Sequence, residues 1–135
     1  MRFRPRRGGR GFTLIEMAIV ISLILILLSI AVPMYQRAIL RTKEGRLHYN
    51  VAKLNEIIQA YSLDKKKAPQ QLDDLVQAGY FKSLPEDITG RNDTWVTEPE
   101  DSQNAIDANQ PGIGSAHSGS NEVSSEGTAY SSWTH

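Results

Sequence analysis

A chain of 135 residues is a length for one small domain, and its 15 basic and 15 acidic side chains cancel to a formal net charge of zero. It has no cysteine, which excludes a disulfide staple, a thiolate metal site and a cysteine nucleophile. The three histidines, His48, His117 and His135, are scattered, and candidate catalytic groups are sparse, so an enzyme is the weaker class.

The zero net charge hides a strong asymmetry along the chain. Residues 1–11 hold Arg2, Arg4, Arg6, Arg7 and Arg10 and no acid. Positions 37–67 hold eight basic and three acidic residues, whereas positions 68–135 hold two basic and eleven acidic ones. A basic stem is followed by an acidic head. Either both are solvated faces, or the heads of some copies lie against the stems of others.

The first predicted element is apolar. From Phe12 to Met34 run 23 residues with a single charge, Glu16. As helix they span about 35 Å, enough to cross a bilayer. The arginine cluster before the run predicts a cytoplasmic N-terminus and translocation of residues 35–135. A carboxylate at mid-helix costs about 2.5–3.5 kcal/mol on translocon-type scales, so Glu16 needs a task. A secretory signal cut after Ser29-Ile30-Ala31 and a permanent signal anchor both leave it without one, and for a twin-arginine signal at Arg6 and Arg7 nothing that follows fits the longer motif and the apolar run is too strong. Pro33 lacks a backbone donor and is expected to kink or locally open the helix, or to mark a simple boundary.

Beyond Pro33, Leu40, Leu47, Val51, Leu54, Ile58 and Tyr61 trace one helical face, with Arg41, Lys43, Arg46, Lys53 and Glu56 on the other side. The spacing predicts one helix from Phe12 to about Lys66, with Gly45 as an interior weak point, and Pro69 ends it. Next, "QQLDDLVQAGYFKSLP" predicts a short helix with Leu72, Leu75 and Val76 inward, Asp73 and Asp74 favouring the first-turn dipole, and Gly79 closing it. Tyr80, Phe81 and Leu84 are expected to pack beneath, and a strand is expected to start near Trp95. The last third is rich in Gly, Ser and Asn, for which disorder is the compositional default. Against that, Ile113, Val123, Tyr130 and Trp133 are spaced as anchors of short strands around a loop.

The stretch "GFTLIEMAIVISLILILLSIAVPMY" resembles the N-terminus of the type IV pilin superfamily, which includes the pseudopilins of type II secretion systems. The resemblance covers about 25 residues in fixed order: a glycine, an aromatic start, a lone acid and an uninterrupted apolar run. It implies that a prepilin peptidase cuts between Gly11 and Phe12, that the new amine on Phe12 is methylated, and that Glu16 serves assembly. There the glutamate pairs with the Phe12 amine of a neighbouring copy. In pilins a proline at the place of Pro33 marks where the helix bends or melts.

A second resemblance, over "APQQLDDLVQAGYFKSLPEDITGRNDTWV", is to the linker and first strand of major pseudopilins, with the turn at Pro85, Asp87 and Gly90. Their C-terminal loop in many members binds calcium. Here the available acids are Asp107, Glu122 and Glu126, a thinner set than an aspartate-rich loop, and a hydrogen-bonded loop is the alternative.

The reading is α+β: a long N-terminal helix packed on a small C-terminal antiparallel sheet. Its parts are a cleaved basic leader (1–11), a hydrophobic transmembrane or filament-core helix (12–34), an amphipathic stem (35–67) and a periplasmic head (68–135). The family implies a non-enzymatic filament subunit: a homopolymer acting with the peptidase, an inner-membrane assembly platform and minor pseudopilins, and with no nucleic acid. A secretion pseudopilus is expected, helped mildly by the absence of a cysteine pair. A type IV pilus major pilin is the alternative, and a secreted binding protein with an ordinary signal peptide a more distant one. The precursor is expected in the inner membrane with its head periplasmic, and the product in a periplasmic or cell-surface filament.

Overall fold

The computed structural model describes residues 11–101, 103, 105–107 and 109–134. The leader arginines and His135 lie outside the described residues. The elements in chain order are α1 (Leu14–Lys65), α2 (Asp73–Gln77), β1 (Trp95–Pro99), β2 (Ile113–Ser118) and a short 3-10 helix, Tyr130–Ser132. The expected α+β architecture is what is found.

Two compact units divide at Ala38 and Ile39. In the first, every described residue is exposed, its large apolar side chains from 42 % at Met17 to 92 % at Leu14. Apolar side chains in such number are stable only when lipid or other protein covers them. The helix assignment runs without a break through Pro33. Its missing N–H leaves the ladder one bond short there, yet the flanking residues keep helical form.

The second unit is built around one face of α1. Leu47, Val51, Leu54, Ile58 and Tyr61 recur at intervals of three and four, and all are buried. Leu40, expected on the same stripe, remains 37 % exposed, and the buried position between it and Leu47 is Glu44. Against this face pack Leu75, Trp95, Ile113, Ala116, Tyr130 and Trp133, with Leu72, Tyr80, Phe81, Leu84 and Ile88 partly buried around them.

α1 stops at Lys65, and Lys66 adopts φ +56°. The short α2 ends as expected at Gly79, whose φ of +85° a side chain would resist. There the Tyr80 N–H reaches the Leu75 carbonyl at 3.0 Å and the Gly79 N–H reaches that of Val76 at 3.0 Å, the paired bonds of a Schellman cap. Asp74 does more than face a dipole: its Oδ2 accepts the N–H groups of Gln70 (2.8 Å) and Gln71 (3.1 Å).

β1 and β2 form a two-stranded antiparallel sheet in which Trp95 faces Ser118 and Thr97 faces Ala116. Asn55 of α1 fastens β2. Its Oδ1 accepts the Ala116 N–H at 2.7 Å, and its Nδ2 donates to the carbonyls of Ala116 (3.1 Å) and Thr134 (3.2 Å).

The Gly/Ser-rich last third is ordered by these bonds, and three of its expected anchors differ in form. Val123 is 66 % exposed and makes only an isolated bridge with Ala129. Tyr130 and Trp133 are buried through the 3-10 turn rather than a strand, with Trp133 stacked on His48 at 3.9 Å between ring centroids.

Candidate functional site

The N-terminal site is set by the first turn of α1. Thr13 precedes the helix and Glu16 is its third residue, the spacing of a capping box. Glu16 Oε2 accepts the Thr13 N–H at 2.8 Å, and Thr13 Oγ1 accepts the Glu16 N–H at 3.2 Å. Two orphan donors at a helix start are thereby satisfied reciprocally. The Thr-x-x-Glu pattern before an apolar run announces this arrangement in the sequence, and the expectation of a pairing role alone overlooked it. Glu16 Oε1 has no partner among the described residues, which leaves it available to a cation. Gly11 and Phe12 precede the helix in open surroundings: a side chain placed on Gly11 would meet nothing within 4 Å.

In the second unit the polar anchor is Glu44, buried at 6 % exposure. Oε1 accepts the Ser125 N–H (2.7 Å) and the Tyr130 O–H (3.0 Å), while Oε2 accepts the Ser125 hydroxyl. Burial acts to raise its pKa, but the hydrogen bonds from Ser125 and Tyr130, with His48 one turn along the helix, outweigh burial and hold it below the ordinary carboxylate value. Burial, and then the Glu44 carboxylate, push the Tyr130 hydroxyl up to about 12. This latch ties the C-terminal loop to the stem. No sequence reading singled it out, because Glu44 stands among basic residues.

The turn at Pro85, Asp87 and Gly90 forms as expected, with Gly90 at φ +78° donating to the Asp87 carbonyl at 2.9 Å. The buried Asp87 carboxylate accepts from the Ile88 N–H (2.6 Å), the Thr94 hydroxyl (2.7 Å) and the Gly119 N–H (3.3 Å). The Trp95 indole donates to the Pro85 carbonyl at 2.8 Å.

The calcium candidates do not assemble. Among the described residues no three histidine, aspartate or glutamate side chains gather as a metal set. Asp107 instead accepts the Asn109 N–H of its own turn at 2.9 Å, and Glu122 and Glu126 point to solvent. A cation wanting six to eight oxygens finds no such cradle in them.

The described residues thus combine a helix long and apolar enough to cross a membrane with a small α+β head in one chain. A family model described as the prokaryotic N-terminal methylation motif matches residues 6–32. The chain is 41 % identical over 61 residues to a type IV major fimbrial protein FimA of Dichelobacter nodosus, covering 45 % of this chain and 38 % of that one. It is 33 % identical over 98 residues to a fimbrial protein of Pseudomonas aeruginosa, covering 70 % of this chain and 64 % of that one. With a competence protein ComGC of Halalkalibacterium halodurans it shares 34 % identity over 79 residues, covering 58 % of this chain and 78 % of that one. The chain thus spans less than two thirds of the length of these two fimbrial relatives. No solved structure matches it. The chain belongs to the type IV pilin superfamily.

Proposed function

We propose that the chain is the repeating subunit of a type IV pilin-like filament, cut between Gly11 and Phe12, methylated on Phe12 and polymerised through the apolar part of α1. The observation that carries this reading is the methylation motif on residues 6–32, laid over the first part of α1, where every apolar side chain is exposed. Copies leaving the membrane side by side bury those side chains against one another. Cleavage creates an ammonium on Phe12, one residue from the N–H that Glu16 already accepts. Pairing Glu16 with the ammonium of a neighbouring copy neutralises two charges removed from water and fixes axial register. A peptidase, an inner-membrane platform and minor subunits are the partners such assembly requires, and the role is structural rather than catalytic.

The finer reading is a secretion pseudopilus, supported by the Pro85–Asp87–Gly90 turn and by a small head without a cysteine pair. A type IV pilus is the second reading, favoured by the fimbrial names of the relatives. Mass spectrometry of the mature chain tests the processing: Phe12 first and N-methylated is expected, and a start at Val32 overturns it. Deleting the chain separates the finer readings, since a pseudopilin loss leaves exported proteins in the periplasm and a pilin loss removes surface fibres.

A further inference from the structure

β1 has one edge against β2 and one facing outward. In an antiparallel pair the backbone groups of successive residues point to opposite edges. Ala116 gives its N–H and carbonyl to Asn55, away from β1, and Thr97 stands opposite Ala116. Thr97 therefore directs its own N–H and carbonyl outward. Glu100, three residues on, keeps the alternation by donating its N–H to the Gly112 carbonyl on the β2 side at 2.9 Å. No described residue pairs with the outward groups of Thr97. Pro99, which has no N–H, ends the free edge.

A cavity of about 550 Å³ lies along this edge. Trp95 and Thr97 line it and Val96 and Glu98 do not, so it opens on the sheet face to which Trp95 and Thr97 point. Its apolar wall includes Leu72, Leu84 and Ile113, residues of the core or packed against it. On the rim Lys82 offsets Asp73, and Asp93 is held by Arg91, so the cavity itself is neutral. The end of the strand is not. Glu98, Glu100 and Asp101 fall within four residues, and residues 92–135 hold no Lys or Arg. Glu98 is exposed, with the Ser115 hydroxyl at 3.5 Å and His117 Nε2 at 3.6 Å. Glu100 Oε2 is buried with no hydrogen-bond partner among the described residues.

We propose that the outer edge of β1 binds an extended segment of a different protein, paired antiparallel through Thr97, with an apolar side chain opposite Thr97 and a Lys or Arg beside it opposite Glu98. Directly opposite residues of paired strands project to the same face, so the apolar side chain enters the cavity and the cation meets Glu98 on the other face. Main-chain bonds supply the attachment, and the alternating side chains supply the selection. The strands of a second copy do not match, because both lie in the stretch that has no Lys or Arg. The contact belongs to the head and does not depend on the filament reading.

Two probe peptides test it, acetyl-Thr-Lys-Val-Lys-Thr-amide and acetyl-Thr-Glu-Val-Glu-Thr-amide, added to the full chain in a neutral detergent and followed by its backbone amide resonances. The lysine peptide should shift the Thr97 amide saturably and bind about tenfold more tightly than the glutamate peptide, which sets like charges opposite Glu98. Thr97→Pro removes an N–H that the fold does not use, and should weaken the lysine peptide about tenfold, read at the Glu98 amide. Glu98→Lys should reverse the preference between the two peptides. A melting curve shows whether the proline leaves the head folded; if it does not, the exposed Glu98→Lys substitution carries the test. No saturable shift from either peptide, equal affinity for the two, an unchanged preference in Glu98→Lys, or shifts that spare Thr97 would each overturn the contact.

Discussion

Glutamate and glutamine differ by a charge and keep one shape, which separates the capping task of Glu16 from the pairing proposed for it. Glutamine at the third helical position still closes a capping box, so Glu16→Gln keeps the helix start, and under the proposed pairing it leaves the Phe12 ammonium of a neighbour uncompensated, at about 3–5 kcal/mol. The expected phenotype is a chain inserted and cleaved normally, with filaments absent under overproduction; normal filaments would remove the pairing role. Glu16→Ala loses the cap as well, about 1 kcal/mol of helix stability, and should show frayed amides at Leu14–Met17 by hydrogen exchange. Glu44 and Tyr130 set a pH window for the head. The lowered pKa of Glu44 gives stability that is present above the ordinary carboxylate value and lost as pH falls through the lowered one. Tyr130 acts oppositely: its raised pKa gives stability that is full below the ordinary value of 10.0 and lost as pH rises through about 12. Tyr130→Phe should therefore flatten the fall of melting temperature over that alkaline interval, and an unchanged slope would refute the linkage. Glu44→Gln places an amide against donors and should lower stability by about 1–3 kcal/mol.

At the scale of elements, what the sequence made legible was what is local. The stripe from Leu47 to Tyr61, the α2 stop at Gly79 and the onset of β1 at Trp95 each follow from spacing or turn chemistry within a few residues. β2 and the tail are held by contacts of another kind. Asn55 binds Ala116 and Thr134 across 61 and 79 residues, and Glu44 binds Ser125 across 81, distances over which no periodicity carries information. Polar anchors of long range therefore order a segment whose composition reads as disordered, and Val123, apolar in sequence, is left outside. Asn55→Ala removes three bonds and should cost about 1–3 kcal/mol. It should also speed exchange of the Ala116 amide relative to the α1 core amides; equal protection would mean that packing alone holds β2. Gly45 is the opposite case. It lies in the exposed interior of α1, and an added Cβ would meet nothing within 4 Å. Gly45→Ala should raise head stability by about 0.4–1 kcal/mol through the unfolded chain.

For the molecule as a whole, burial divides the chain more sharply than the helix does. α1 is continuous from Leu14 to Lys65, yet no described residue before Glu44 is buried, and all the buried apolar residues lie between Leu47 and Trp133. The apolar run thus contributes nothing to the core of the second unit, and its exposed side chains need lipid or other copies instead. A chain truncated to start at Ile39 retains every residue of that core and both latches, Glu44–Ser125 and Asn55–Ala116. It should fold in water without detergent. The two tryptophans of the sequence, Trp95 and Trp133, are both buried in this unit, at 9 % and 7 % exposure. The tryptophan bands of the near-ultraviolet circular dichroism spectrum, and indole fluorescence, therefore report on the head alone, in the truncated chain and in the full chain held in detergent. The expected result is the same tryptophan bands in both and one cooperative melt at closely similar temperature. A truncated chain with helical far-ultraviolet signal but no near-ultraviolet signal from the tryptophans would show that the head depends on residues before Ile39, and the division of the molecule into two independent units would fall.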